Sequence, residues 1–197
     1  MYVWRIKTMQ NLKKVQYDRN IAPGTMVSNE AVKLSRPPVD FVKINTDATW
    51  KMNERGGIGA IIRDEAGQAV FAAAAPTGLT ASVEAAELLA ILLGLETAWN
   101  WCYRHIILET DNLSIARVIN GGGLVDCSVS ILLDEVKVWL PNFDSVTVNH
   151  VKRSANVTAH ELAKWGVFLD NHVLFVEEVP TFLVNFVQAD ICNSVPD

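Results

Sequence analysis

The chain of 197 residues has few cysteines, no long apolar runs and, over most of its length, little positive charge. Its three cysteines, Cys102, Cys127 and Cys192, are odd in number and form no CxxC pair. That excludes a disulfide framework and a zinc knuckle, and the expectation is a reduced, intracellular protein, nuclear or cytoplasmic. No apolar run approaches the ~18–20 residues that cross a bilayer. The longest are pieces such as Leu88 to Leu95, so no membrane association is expected. The first residues lack the apolar core of a secretory signal, and the sequons at Asn112 and Asn156 are read as chance matches. Gly57-Ile58-Gly59 has no third glycine at dinucleotide spacing, and Gly121-Gly122-Gly123 is not followed by Lys-Ser/Thr. Neither a Rossmann fingerprint nor a P-loop is present.

What is there supports one domain with a sizeable core, since 50% of the residues are hydrophobic and 20% charged. The net charge of −5 is unevenly spread. Residues 1–40 carry seven basic groups against three acidic ones, while the rest carries ten against nineteen. The body therefore lacks the broad basic footprint of a nucleic-acid binder. Residues 1–40, with Pro23-Gly24 and Pro37-Pro38, are read as a basic, poorly ordered lead-in.

From Phe41 the pattern is regular. Val42, Ile44 and Thr46 alternate with Lys43 and Asn45, a strand ending at Asp47. Gly56 to Ile62 is a second strand with small residues on one side, Asp64 to Gly67 a turn, and Gln68 to Ala75 a third strand of an antiparallel meander. The period then turns helical from about Ala81 to Trp101, with Thr80 or Ser82 as cap. His105 to Thr110 reads as a strand, Asn112 to Asn120 and Ser128 to Leu140 as helices, Ser145 to His150 as a strand and Asn156 to Val167 as a helix. The order β-β-β-α-β-α-α-β-α describes an α/β domain, a mixed sheet with helices on its faces. Behind Pro180, the stripe Val179, Phe182, Leu183, Phe186 and Val187 marks a short amphipathic helix in a tail over 169–197, which packs on the domain or receives a protein partner.

Three carboxylates stand out. Asp47 and Asp111 follow the first and fourth strands, where turn and helix-cap roles are the simple alternatives. Glu87 lies inside Ala85-Ala86-Glu87-Leu88-Leu89-Ala90, where a lone carboxylate is costly without a cation or a site. Glu84, its neighbour one turn earlier, is read as solvated. If the first and fourth strands are neighbours, Asp47 and Asp111 converge at one sheet edge and the helix brings Glu87 to them. Three such oxygen donors repel one another unless a hard cation such as Mg²⁺ or Mn²⁺ is bound, which points to metal-assisted phosphoryl chemistry.

Asn45-Thr46-Asp47, Gly57-Ile58-Gly59-Ala60-Ile61-Ile62-Arg63-Asp64, Ala86-Glu87-Leu88-Leu89-Ala90, Glu109-Thr110-Asp111-Asn112, His150-Val151-Lys152-Arg153-Ser154-Ala155-Asn156 and Ala159-His160-Glu161-Leu162-Ala163 occur in a telling order and spacing. Over residues 41–168 the chain resembles ribonuclease H-like domains, and most closely the plant reverse-transcriptase-like branch of the type 1 ribonuclease H family, found alone or in retrotransposon-derived proteins. The resemblance implies a five-stranded mixed sheet and a two-metal endonuclease that cleaves the RNA strand of RNA/DNA hybrids. It implies Asp47 bridging two Mg²⁺ or Mn²⁺ ions, Glu87 ligating one and orienting water, and Asp111 holding the first. Strand choice then rests on contacts to 2′-hydroxyls. Asn45, Lys51, Arg55, Lys152, Arg153 and Asn156 are the candidates for contact with the nucleic acid.

Two departures from the family pattern bear on activity. A fourth carboxylate is replaced by His160, as in some plant relatives, and imidazole is a poorer ligand for Mg²⁺ than a carboxylate. Glu161 does not substitute, because one helical residue turns by about 100°. His160 is kept as a catalytic candidate, and His150 is read as a packing residue. A basic, Trp-rich protrusion is also missing, since Gly121 to Ser145 offers Lys137 against Asp126, Asp134, Glu135 and Asp144. A weak grip with a shallow salt dependence is expected. The alternative is a weakly active or inactive module that binds nucleic acid or protein.

Overall fold

The computed structural model describes residues 35–123 and 126–193; residues 1–34 of the basic lead-in lie outside them. The meander is β1 (Val42–Thr49), β2 (Gly56–Arg63) and β3 (Ala69–Gly78), followed by α1 (Val83–Asn100), β4 (His105–Thr110) and α2 (Leu113–Ile119). Then come α3 (Ser130–Trp139), β5 (Ser145–His150), α4 (Val157–Gly166), β6 (Val173–Val176) and α5 (Val184–Asn193). The strands form one mixed sheet in the order β5-β4-β1-β2-β3-β6. β1 runs parallel to β4 and antiparallel to β2.

Helices press both faces of the sheet. Leu88, Ile91 and Leu95 of α1 pack with Ile44, Ile62, Ile106 and Leu108 on one side. On the other, Ala159 and Leu162 of α4 meet Ile61, Ala72 and Ala74. Glycine allows this approach: a Cβ on Gly59 would stand 2.5 Å from the Ala163 nitrogen, and one on Gly94 of α1 would stand 2.7 Å from Ile44 Cγ2. Ser82 caps α1, its hydroxyl accepting from the Ala85 N–H at 3.2 Å.

The sheet has six strands where five were expected. The sixth, β6, is a four-residue apolar run whose residues are all half-buried, so it shows no alternation in the sequence. It pairs antiparallel with β3 and covers an edge that would otherwise be open. The stripe behind Pro180 is committed to the domain rather than free for a partner. Leu183 and Val187 are buried in the α4-side core, with Val179, Phe182 and Phe186 packed against it. Among the described residues no helix is long and apolar enough to cross a membrane.

Candidate metal centre

Parallel pairing sets the site. Asn45 of β1 lies opposite Glu109 of β4, and Thr46 opposite Thr110, so the next residues, Asp47 and Asp111, stand side by side at one sheet edge. Glu87, in the first turns of α1, reaches the same point. One oxygen from each of Asp47, Glu87 and Asp111 lies within 4.8 Å of the others. Asp47 and Glu87 are buried and Asp111 half-buried.

The electrostatics are those of crowded carboxylates that disfavour one another's charge. Burial first, then the charges of Asp47 and Asp111, push the Glu87 carboxyl up to about 9, and Arg153 pulls weakly the other way. Burial and Asp47 likewise push Asp111 up to about 6. Glu87 Oε2 is buried and has no hydrogen-bond partner. A set of three carboxylates, one with an orphaned oxygen, suits a hard divalent cation.

His160, on α4, places Nδ1 2.8 Å from Asp47 Oδ2. Arg153 Nη2 lies 3.2 Å from both ring nitrogens. A ring protonated at Nδ1 satisfies both neighbours, donating to Asp47 and accepting from Arg153. His160 thus stands beside Asp47 but outside the three-oxygen set.

The other candidates are placed differently. Asn45 is buried, donating to Glu109 Oε2 and accepting from Arg63 Nη1, each at 2.8 Å. Asn156 is buried too, its amide donating to the Thr46 carbonyl at 2.8 Å, which ties the start of α4 to β1 beside Asp47. Lys51 pairs with Glu54. Arg55 donates to the Leu169 carbonyl and lies near Asp170. Lys152 is exposed, as is His150, which does not pack in the core. Glu84, read from the sequence as solvated, is half-buried.

Sequence reasoning missed a buried ion-pair chain just upstream of the site. Lys43 pairs with Glu109 at 2.8 Å, Glu109 accepts from Asn45, Asn45 accepts from Arg63, and Arg63 pairs with Asp190 of α5. Thr158 of α4 also donates to Asp190, at 2.7 Å. The alternation in β1 had marked Lys43 and Asn45 as its polar face, but α4 and Ser35 cover that face, with Lys43 donating to the Ser35 carbonyl at 2.6 Å, and α5 reaches it through Asp190 on Arg63. No local signal in the sequence pairs Arg63 with a residue 127 positions away.

A mixed sheet with acids at the ends of two parallel neighbouring strands and a third on the first helix defines the ribonuclease H-like class of fold. Within it, the chain belongs to the reverse transcriptase-like family, whose model matches residues 45–166. Among solved structures it is similar to ribonuclease H1 from the halophilic archaeon Halobacterium salinarum, at 22% identity and a TM-score of 0.61, covering 64% of this chain and 97% of that one. It is similar to the LC11 ribonuclease H1, isolated from compost and solved with an RNA/DNA hybrid, at 21% identity and a TM-score of 0.58, covering 64% and 96%. A third likeness is the foamy viral protease-reverse transcriptase with an RNA/DNA hybrid, at 17% identity and a TM-score of 0.53, covering 79% of this chain and 24% of that one. At these identities the likeness is one of fold. No curated protein matches the chain.

Proposed function

We propose that this protein is a divalent-metal-dependent endonuclease that hydrolyses the RNA strand of RNA/DNA hybrids. The observation that carries the reading is the convergence of Asp47, Glu87 and Asp111 within 4.8 Å, with one Glu87 oxygen orphaned. Bound there, a pair of Mg²⁺ or Mn²⁺ ions supplies an activated water and the charge that a departing 3′ oxygen needs. The protein's part is positional. The β1–β4 register fixes Asp47 beside Asp111, the α1 packing fixes Glu87, and the Asn156–Thr46 bond fixes α4 so that His160 meets Asp47. Support for the substrate comes from the solved relatives that hold RNA/DNA hybrids.

The test is cleavage of a labelled hybrid titrated with Mg²⁺ and Mn²⁺, alongside Asp47→Asn. Metal-dependent cleavage that the variant loses supports the reading, and cleavage indifferent to it ends the assignment. One observation favours a second reading, a weakly active or inactive binding module: His160, itself faced by Arg153, stands on Asp47 where a further acidic ligand would complete the centre. Cleavage above that of a triple-carboxylate variant counts against this reading.

A further inference from the structure

The described cations are almost all committed. Lys43 and Arg63 are buried in the ion-pair chain, Lys51 holds Glu54, Lys164 holds Glu161, Arg55 bonds the Leu169 carbonyl, and Arg153 faces His160. Arg104 stacks on Trp99, and Arg36 is engaged as well. Arg117, Lys137 and Lys152 are left without a partner among the described residues. One of these, Arg117, stands at a cleft. A cleft of 370 Å³ between the end of α2 and β5 is lined by Arg117, His150, Gly122 and Gly123, and Lys152 follows two residues after His150.

The cleft is held in shape beside the metal centre. Asn120 donates to the Val148 carbonyl at 2.9 Å and pins the end of α2 to β5. His150 lies opposite Thr110 in the sheet, so the cleft opens one strand beyond the residue that precedes Asp111. Its glycine floor lets a ligand approach the backbone closely. The carboxyl end of α2 is the negative end of a helix dipole, so attraction for an anion there depends on Arg117 and its basic neighbours.

We propose that this cleft is a phosphate-binding subsite, holding a backbone phosphate of the nucleic acid on the Asp111 side of the metal centre. The proposal rests on the nucleic-acid reading above, and it places the grip outside the α3 region, where the expected basic protrusion is missing. Arg117 is its principal contact, with His150 beside it.

The experiment measures fluorescence anisotropy of a labelled RNA/DNA hybrid with the full chain in EDTA, so that binding is read without cleavage. The expected result is that Arg117→Ala weakens binding about 5- to 10-fold and lowers the slope of log affinity against log salt by about 0.7–0.9, while Arg117→Lys keeps the slope. Unchanged affinity and slope in Arg117→Ala, with a native circular dichroism spectrum, overturns the subsite. If the wild-type chain binds no hybrid, the parent reading fails, and titration with inorganic phosphate followed by NMR decides the subsite alone. Localised shifts at His150 and the Gly122 and Gly123 amides that vanish in Arg117→Ala support it, and their absence overturns it.

Discussion

Two groups of charge sit two residues apart on the same pair of strands. At Asn45 and Glu109 every charge has a partner: Lys43, Glu109, Arg63 and Asp190 are joined through the Asn45 amide into a balanced chain. At Asp47 and Asp111, one alternation further on, three carboxylates meet, Arg153 offers weak relief and Glu87 Oε2 has no partner at all. Side chains at i and i+2 share one face of a strand, so the same backbone register built both groups. The contrast separates two uses of buried charge. The first is neutralised by the protein and locks α4 and α5 onto the sheet, whereas the second has no such internal neutralisation, which is what the proposed metal site would account for.

The largest expected effect falls on the unpaired group. Asp47→Asn is expected to lower metal-dependent hybrid cleavage on the order of 10³-fold or more, read from initial rates, with unfolding by denaturant little changed. Glu109→Ala should do the reverse. Leaving Lys43 buried without its partner is expected to cost about 3–5 kcal/mol by chemical denaturation. Equal costs of the two substitutions in both assays would erase the distinction.

A smaller effect is written in the pH dependence of the metal-free protein. The Glu87 carboxyl keeps its proton in the fold up to about 9 and loses it near 4.5 in the unfolded chain. Stability is therefore whole below pH 4.5 and declines as pH rises toward 9, by on the order of 3 kcal/mol at pH 7. Glu87→Gln should flatten this decline, and millimolar Mg²⁺ should shrink it, both read from thermal unfolding at several pH values. Least in size, His160→Asp is expected to raise the rate in Mg²⁺ by about 2- to 10-fold, since a carboxylate suits Mg²⁺ better than imidazole. A folded His160→Asp protein with no gain would mean that this position does not limit the rate.

Much of this was legible before any coordinates. The fourth and fifth strands carry their bounds in the sequence, and Glu87 stood out because a carboxylate amid Ala and Leu demands a partner. Adjacency of Asp47 and Asp111 followed once β1 and β4 were taken as neighbours. What was not legible depends on distance. β6 has only four residues, all of one polarity, and pairs across most of the domain with β3. The fate of Lys43 and Asn45 was hidden for the same reason: alternation separates the two faces of a strand, but whether the polar face meets water or a buried guanidinium is decided by Arg63 and Asp190. The link between His160 and Asp47 also joins residues far apart in the chain, and helical spacing in α4 says nothing of it.

The family pattern stops at residue 166, yet the sheet gains a strand after that point, and Asp190 closes the ion-pair chain. An expression fragment trimmed to the family boundary would bare the hydrogen-bonding edge of β3, remove Leu183 and Val187 from the core around Ile61, Ala72 and Ala74, and leave the buried Arg63 guanidinium without its carboxylate partner Asp190. For anyone cutting this protein for crystallisation or fusion, the functional end of the domain is therefore a counter-ion some two dozen residues past the last recognisable motif.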